Sequence, residues 1–167
     1  MALSLPSAVP SMGTRRVVFI PGPRPATLTA AAVNAADNIS CYLTRTGWQP
    51  TKDQATITDS RYCSAQDFEL PGAKTRSLML QYTFNLNEPT EDEARIALAE
   101  GVEGTLVHFV QIEEDADEFA TGDWYEDVYV RMGSQDIVNV EDNAVDRINQ
   151  KAFIRGEWSE LKQLTSA

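Results

Sequence analysis

The sequence is short of the residues that most chemistry needs. It has one histidine, His108, and two cysteines, Cys41 and Cys63, in 167 residues. Two thiols make at most one bridge, which weighs against a disulfide framework, and their spacing is not that of a CxxC metal or redox motif. Two free, partly buried thiols are expected. The lone histidine sits mid-strand between Val107 and Phe109 with no partner motif, so a structural place on a sheet is expected rather than a catalytic one. There is no G-x-S-x-G elbow, phosphate loop, dinucleotide fingerprint or H-E-x-x-H. Basic residues are scarce too: 14 Lys and Arg stand against 25 Asp and Glu, a net charge of −11. That weighs against a surface that grips nucleic acid, which needs a basic patch for the phosphates. It does not weigh against a surface past which nucleic acid must slide. No apolar run approaches the ~18 residues of a membrane span. The opening MALSLPSAVPSMGTRR has no basic region ahead of its apolar residues and makes a poor signal peptide. A cytoplasmic site of synthesis and no membrane partner are expected.

What is present fits one globular domain. Hydrophobic residues make up 43% and charged residues 23%, ordinary values for a chain with a real core. The acidic excess has one dense stretch, EEDADEFATGD, Glu113 to Asp123. Asp115 and Asp117 stand where a calcium loop has its first two ligands. Phe119 and Ala120 then fall where the third ligand and the glycine belong, so a solvated turn is expected and no metal. Twenty-five acids always contain close pairs, but nothing singles out two carboxylates for glycoside hydrolysis. No catalytic residue and no cofactor are assigned, and an enzyme is not expected.

The clearest local pattern is SLMLQYTFNLN, Ser77 to Asn87. Leu78, Leu80, Tyr82, Phe84 and Leu86 fall on one parity, as in a strand with one buried face. The opposite face carries Gln81, Thr83, Asn85 and Asn87: polar, yet without the charge that usually crowds a solvated strand. Other strands are expected at Arg15–Ile20, around Ile39–Leu43, at Thr105–Ile112, at Trp124–Arg131 and within Ala144–Trp158. Thr29 can cap a short alanine-rich turn. Thr90 and Glu93 make a capping box for a helix over 90–100 that Gly101 ends. Residues 1–14 read as an arm and 159–167 as a polar tail, flanking a domain over 15–158. From Arg45 to Pro71 apolar density falls, leaving isolated Trp48, Tyr62 and Phe68 in a long excursion with strand pieces near 54–58 and 66–70. Seven or eight strands and one good helix predict a mainly β fold: an antiparallel β-sandwich or partly closed barrel with one flanking α-helix. Such a domain also suits a carbohydrate- or ligand-binding module.

An ordered series of stretches carries a resemblance: MGTRRVVFIP, ISCYLTRTGWQPTKDQATITDSRYCSAQDFELPG, SLMLQYTFN, LAEGVEGTLVHF, ATGDWYEDVYVRMG and RINQKAFIRGEW, over about residues 12–156. In their order and spacing they resemble the major tail proteins, or tail tube proteins, of long-tailed, non-contractile bacteriophages. The resemblance implies a virion subunit, assembled in the host cytoplasm, that stacks as hexameric rings into a tube through which the genome leaves. It implies self-association, with terminator, tape-measure and baseplate or tip proteins as further partners, and DNA that passes without specific binding. A related tail completion or connector subunit is the alternative within the same biology. The arm and the 45–71 excursion match the parts that join subunits, which makes Arg15, Trp48, Tyr62 and Phe68 candidate inter-subunit contacts. Gln81, Thr83, Asn85 and Asn87 become candidate lumen-facing residues. That face turns either to the channel or to the helix or a neighbouring subunit, and the sequence leaves the choice open.

Overall fold

A computed structural model describes residues 6–142 and 144–166; the first five residues of the expected arm lie outside them. The elements run β1 (Arg16–Pro21), α1 (Ala30–Asn34), β2 (Asp37–Asn38), β3 (Leu43–Asp59), β4 (Phe68–Thr83), a 3-10 turn (Pro89–Glu91), α2 (Glu93–Ala97), β5 (Glu103–Val110), β6 (Trp124–Ile137), β7 (Arg147–Ile154) and β8 (Lys162–Gln163). The strands form one sheet in the order β2-β1-β5-β6-β7-β4-β3, with β8 added beside β6. Every strand pairing is antiparallel. The fold is thus mainly β, as expected, and the sheet curls on itself into a half-barrel.

Alternation explains the curl. One parity puts Val17 and Phe19 of β1, Leu106 of β5, Val128, Val130 and Met132 of β6, Ile148 and Ala152 of β7, and Leu78, Leu80 and Tyr82 of β4 into a single buried cluster. Each such side chain gains ~1.5–3 kcal/mol on leaving water, and a flat sheet would leave the middle of that face wet. Ala94 and Leu98, in and just after α2, and Trp158 close the cluster. The opposite parity buries only part of its face. Val18, Val107, Phe109 and Tyr125 are covered by Val33 of α1 and by Leu28, Ile112, Phe119 and Leu164.

The long strand β6 organises the rest. Its first half, Trp124–Arg131, pairs with β5, and its second half pairs with β7 from Val130↔Ile154 to Ile137↔Ile148. After β7 the chain returns along the vacated edge of β6. Ser159 N donates to Asp127 O, and Lys162 and Gln163 sit opposite Tyr125 and Trp124. The segment expected as a polar tail is therefore packed: Leu164 is buried and Thr165 bridges Thr29. One buried leucine among polar neighbours leaves no periodicity to read.

The helix over 90–100 is shorter than expected. It occupies Glu93–Ala97, and no side chain caps it. Thr90 lies inside the preceding 3-10 turn, so the capping box does not form. Five residues cannot hold a helix in water. Tertiary bonds hold this one: buried Asp92 pairs with Arg95, and Gln135 Nε2 donates to Arg95 O and Leu98 O. The Thr29 cap does form, its hydroxyl accepting from Ala32 N at 3.3 Å. Both cysteines are free, as expected, but exposed rather than partly buried.

Inside the apolar cluster one polar side chain is fully buried. Gln150 donates to Leu98 O and Gly133 O, each at 2.8 Å, and accepts from Tyr82 Oη at 2.8 Å. It ties α2, the β6 bulge and β4 to β7. Gln150→Leu keeps the bulk but removes the donor to Gly133 O and the acceptor of the Tyr82 hydroxyl, while Leu98 O keeps Gln135, so a loss of about 1–3 kcal/mol is expected from the urea midpoint at unchanged slope.

Candidate assembly surface

The 45–71 excursion is a β-hairpin arm. β3 and β4 pair from Trp48↔Leu80 out to Asp59↔Phe68, with a bulge between Gln54 and Thr56. The pairing of β4 with β7 stops at Leu78↔Ala152. Beyond that point neither strand pairs with any other strand among the described residues. Ile57 lies opposite Leu70, and Phe68 shares their face two residues away. All three are about half exposed, and Tyr62 at the turn is fully exposed. The sequence pattern marked isolated aromatics here; it could not show that Ile57, Phe68 and Leu70 align.

The base of the arm is latched to the body. Gly47 sits in a bulge of β3 so tight that a Cβ there would lie 2.2 Å from Gln81 O. The bulge turns Trp48 inward, where its ring stacks on His108 at 4.7 Å and meets Trp158 edge-on at 6.0 Å. Beside them the Glu126 carboxylate receives Lys52 Nζ at 2.7 Å and Trp158 Nε1 at 2.9 Å, with His108 Nδ1 at 3.1 Å. Lys52 also lies over the Trp158 ring. Burial alone would raise the Glu126 pKa, but the bonds from His108, Lys52 and Trp158 outweigh it and hold the group at about 2. The structural place expected for His108 is this latch. Trp48, a candidate inter-subunit contact, is half-buried and packs on His108 and Trp158 of its own chain.

The polar face of β4 is uncovered. Gln81 and Thr83 are half-buried and meet Asn149 and Arg147 of β7 across the ladder. Gln81 donates to Asn149 Oδ1 and accepts from Thr44 Oγ1, each at 2.9 Å; Thr83 Oγ1 donates to Tyr42 O. α2 packs on the other face, with Tyr82. Asn85 and Asn87 lie beyond the end of β4, exposed. Neighbouring strands add what β4 lacks. Arg131, Arg147 and Lys151 share this face, and so do Glu103 and Asp136; Glu141 pairs with Arg147. The face is polar and near balance in charge, not uncharged.

At the other end the chain leaves β5 through Gln111, in the left-handed region at φ 60°, into the acidic stretch. Ile112 and Phe119 are buried on either side of it, and Asn34 clasps Phe119 through Nδ2 to O at 3.0 Å and Oδ1 to N at 2.9 Å. Glu113, Glu114, Asp115, Asp117 and Glu118 project from this anchored knuckle, all exposed. No group of three or more potential metal ligands comes together among the described residues. Residues 6–13 of the arm are exposed; Thr14 O accepts from Ile112 N, and Arg15 beside it is exposed. No helix among the described residues is long and apolar enough to cross a membrane.

A half-barrel with an unpaired sheet edge among the described residues and a latched, projecting hairpin defines the class of fold: mainly β, with an arm. The comparisons with known proteins give that class its place. A family model described as phage tail tube protein matches residues 3–167, and the chain belongs to that family. It is a structural component of a phage tail. A chain in the cryo-EM structure of the anti-feeding prophage baseplate, 6-fold symmetrised, shares the fold at a TM-score of 0.55 and 13% identity, with 98% of each chain covered. No curated protein matches the chain.

The latch makes a pH prediction. A depressed carboxylate pKa contributes stability that is present above its ordinary value of 4.5 and lost as pH falls toward about 2. Glu126→Gln is expected to cost about 1–3 kcal/mol at neutral pH, and the gap from wild type to close between those two values. Urea midpoints taken across that range check it; a gap that stays constant into acid removes the latch as its source.

Proposed function

We propose that this chain is the repeating major tail protein of a long-tailed, non-contractile phage, forming hexameric rings that stack into the tube through which the genome is ejected. One observation carries this reading. The outer edge of β3, 17 residues long, has no strand beside it among the described residues, and the arm it belongs to exposes an apolar stripe. In an isolated molecule such an edge invites uncontrolled pairing. In a closed ring or stack each edge and stripe has a neighbour to meet. The six-fold symmetry stated for the baseplate structure supports a ring of six. Arg15, Tyr62 and Phe68 are the contacts we assign between subunits, and Trp48 fixes the angle at which the arm leaves. Terminator, tape-measure and baseplate or tip proteins are the further partners, and assembly takes place in the host cytoplasm.

Gln81 and Thr83 then line the lumen. Three cations and three carboxylates on or beside that face balance, so the wall hydrates without holding phosphates. Asn85 and Asn87 stand at its rim.

Two measurements test the reading. Replacing Ile57, Phe68 and Leu70 together by Ser is expected to preserve the circular dichroism spectrum, since all three are exposed, and to abolish rings and tubes in negative stain. Normal tubes from that variant sink the arm's role. Thr83→Lys adds a cation to the wall and is expected to slow ejection from virions at low salt and less so at high salt. Ejection at the normal rate in low salt puts the face on the outside of the tube.

A further inference from the structure

The molecule carries −11 overall, yet one groove has the opposite sign. It is an open cleft of about 790 Å3 where β4 parts from β7 and the chain returns along β6. Arg24, Lys74, Arg76 and Lys162 line it, against Glu157 and Glu160. Arg24 and Lys162 share Asp127, at 2.6 and 3.8 Å. Lys74 and Arg76 have no carboxylate partner among the described residues, although Arg76 is half-buried and its guanidinium donates to Trp158 O at 2.8 Å. A half-buried guanidinium bound only to a carbonyl keeps donors for an anion.

We infer that this groove receives the acidic knuckle, Glu113–Glu118, of a second copy of the chain. The inference deepens the tail-tube reading and rests on it for the identity of the partner. Three observations carry it. The knuckle packs five carboxylates into six residues, and none is in an ion pair among the described residues. Its base is fixed by Ile112, Phe119 and Asn34, so it pays little ordering entropy on docking. It cannot reach the groove of its own molecule by the shortest path, because it joins β5 to β6 on one edge of β6 while the groove opens along the other. Two different surfaces that complement each other on one chain make a head-to-tail contact, which propagates from copy to copy. It also answers an electrostatic problem: subunits of the same strong negative charge repel unless opposite signs are brought together at the contact.

The test uses the full chain, as an equal mixture of unlabelled and nitrogen-15-labelled protein, treated with a zero-length carbodiimide. Mixed-label cross-links from Lys74 or Lys162 to Glu113–Glu118 are expected. Reversing the groove (Lys74→Glu with Arg76→Glu) is expected to cut both the cross-links and the pelleted assembled fraction at least ~tenfold, the scale of 1.4 kcal/mol of contact. Reversing the knuckle (Glu114→Lys, Asp115→Lys, Asp117→Lys) does the same. The chain carrying both reversals recovers assembly. Lys74→Gln with Arg76→Gln, which adds no repulsion, gives an intermediate loss and guards against a reversal that unfolds; melting curves confirm the fold of each. Absence of mixed-label cross-links, or assembly untouched by the groove reversal, overturns the inference. So does a groove that binds a short duplex DNA at low salt, loses it on reversal and still assembles. Cross-links without rings or tubes in wild type retire the tail-tube reading and keep the contact; tubes without the cross-links do the opposite.

Discussion

One carboxylate holds the shape of this subunit. β3 ends the sheet, three strands away from β6 in the pairing order. Its side chains reach β5 and β6 only because the sheet curls, and Glu126 fixes that curl by taking bonds from Lys52 of β3, His108 of β5 and Trp158 of the returning chain. Burying a carboxylate is costly, and three donors are what make it tolerable. Lys52 is nearly half exposed, so its ion pair is screened. The indole and imidazole bonds are better shielded, and the stacked Trp48 keeps water from them. The direction of the arm, the closure of the apolar cluster and the position of the groove all follow from this point.

The two buried clusters divide the sheet unequally. The inward parity is filled from β1 to β4, while the outward parity is covered only over β1, β5 and the start of β6. What remains is a broad polar surface on β4, β7 and the second half of β6. An antiparallel sheet commonly keeps one face in water, and here that face is polar. It is the surface that the proposed tube would turn to its channel.

Much of this was legible in the sequence where side-chain period and burial coincide. Leu78, Leu80 and Tyr82 announce β4 because one face meets the core along its whole paired length. The arm was harder. Past Lys52↔Arg76 both strands are largely exposed, so neither alternates, and their sequences read as a loop with fragments of strand. The helix at 90–100 was overextended because a capping box is a local signal, and here Asp92 and Gln135 set the start and end from a distance. Alternation puts Thr83 and Gln81 on a polar face, but a single strand says nothing of its neighbours: Arg147 and Lys151 arrive from β7 and bring charge. The groove escaped notice for the same reason, since Arg24, Arg76 and Lys162 are scattered along the chain.

The same topology sets an order of events in folding. β3 and β4 are joined by an eight-residue loop and can zip together locally, on the microsecond scale of hairpins. The body cannot: Val18 must find Val107 across most of the chain, and such distant pairings close slowly. The apolar hairpin tip rests on local pairing, whereas the latch that aims it rests on distant ones. The arm is aimed only when Trp48, beside the bulge at Gly47, meets His108 and Trp158, which come from parts of the chain far from the hairpin in sequence.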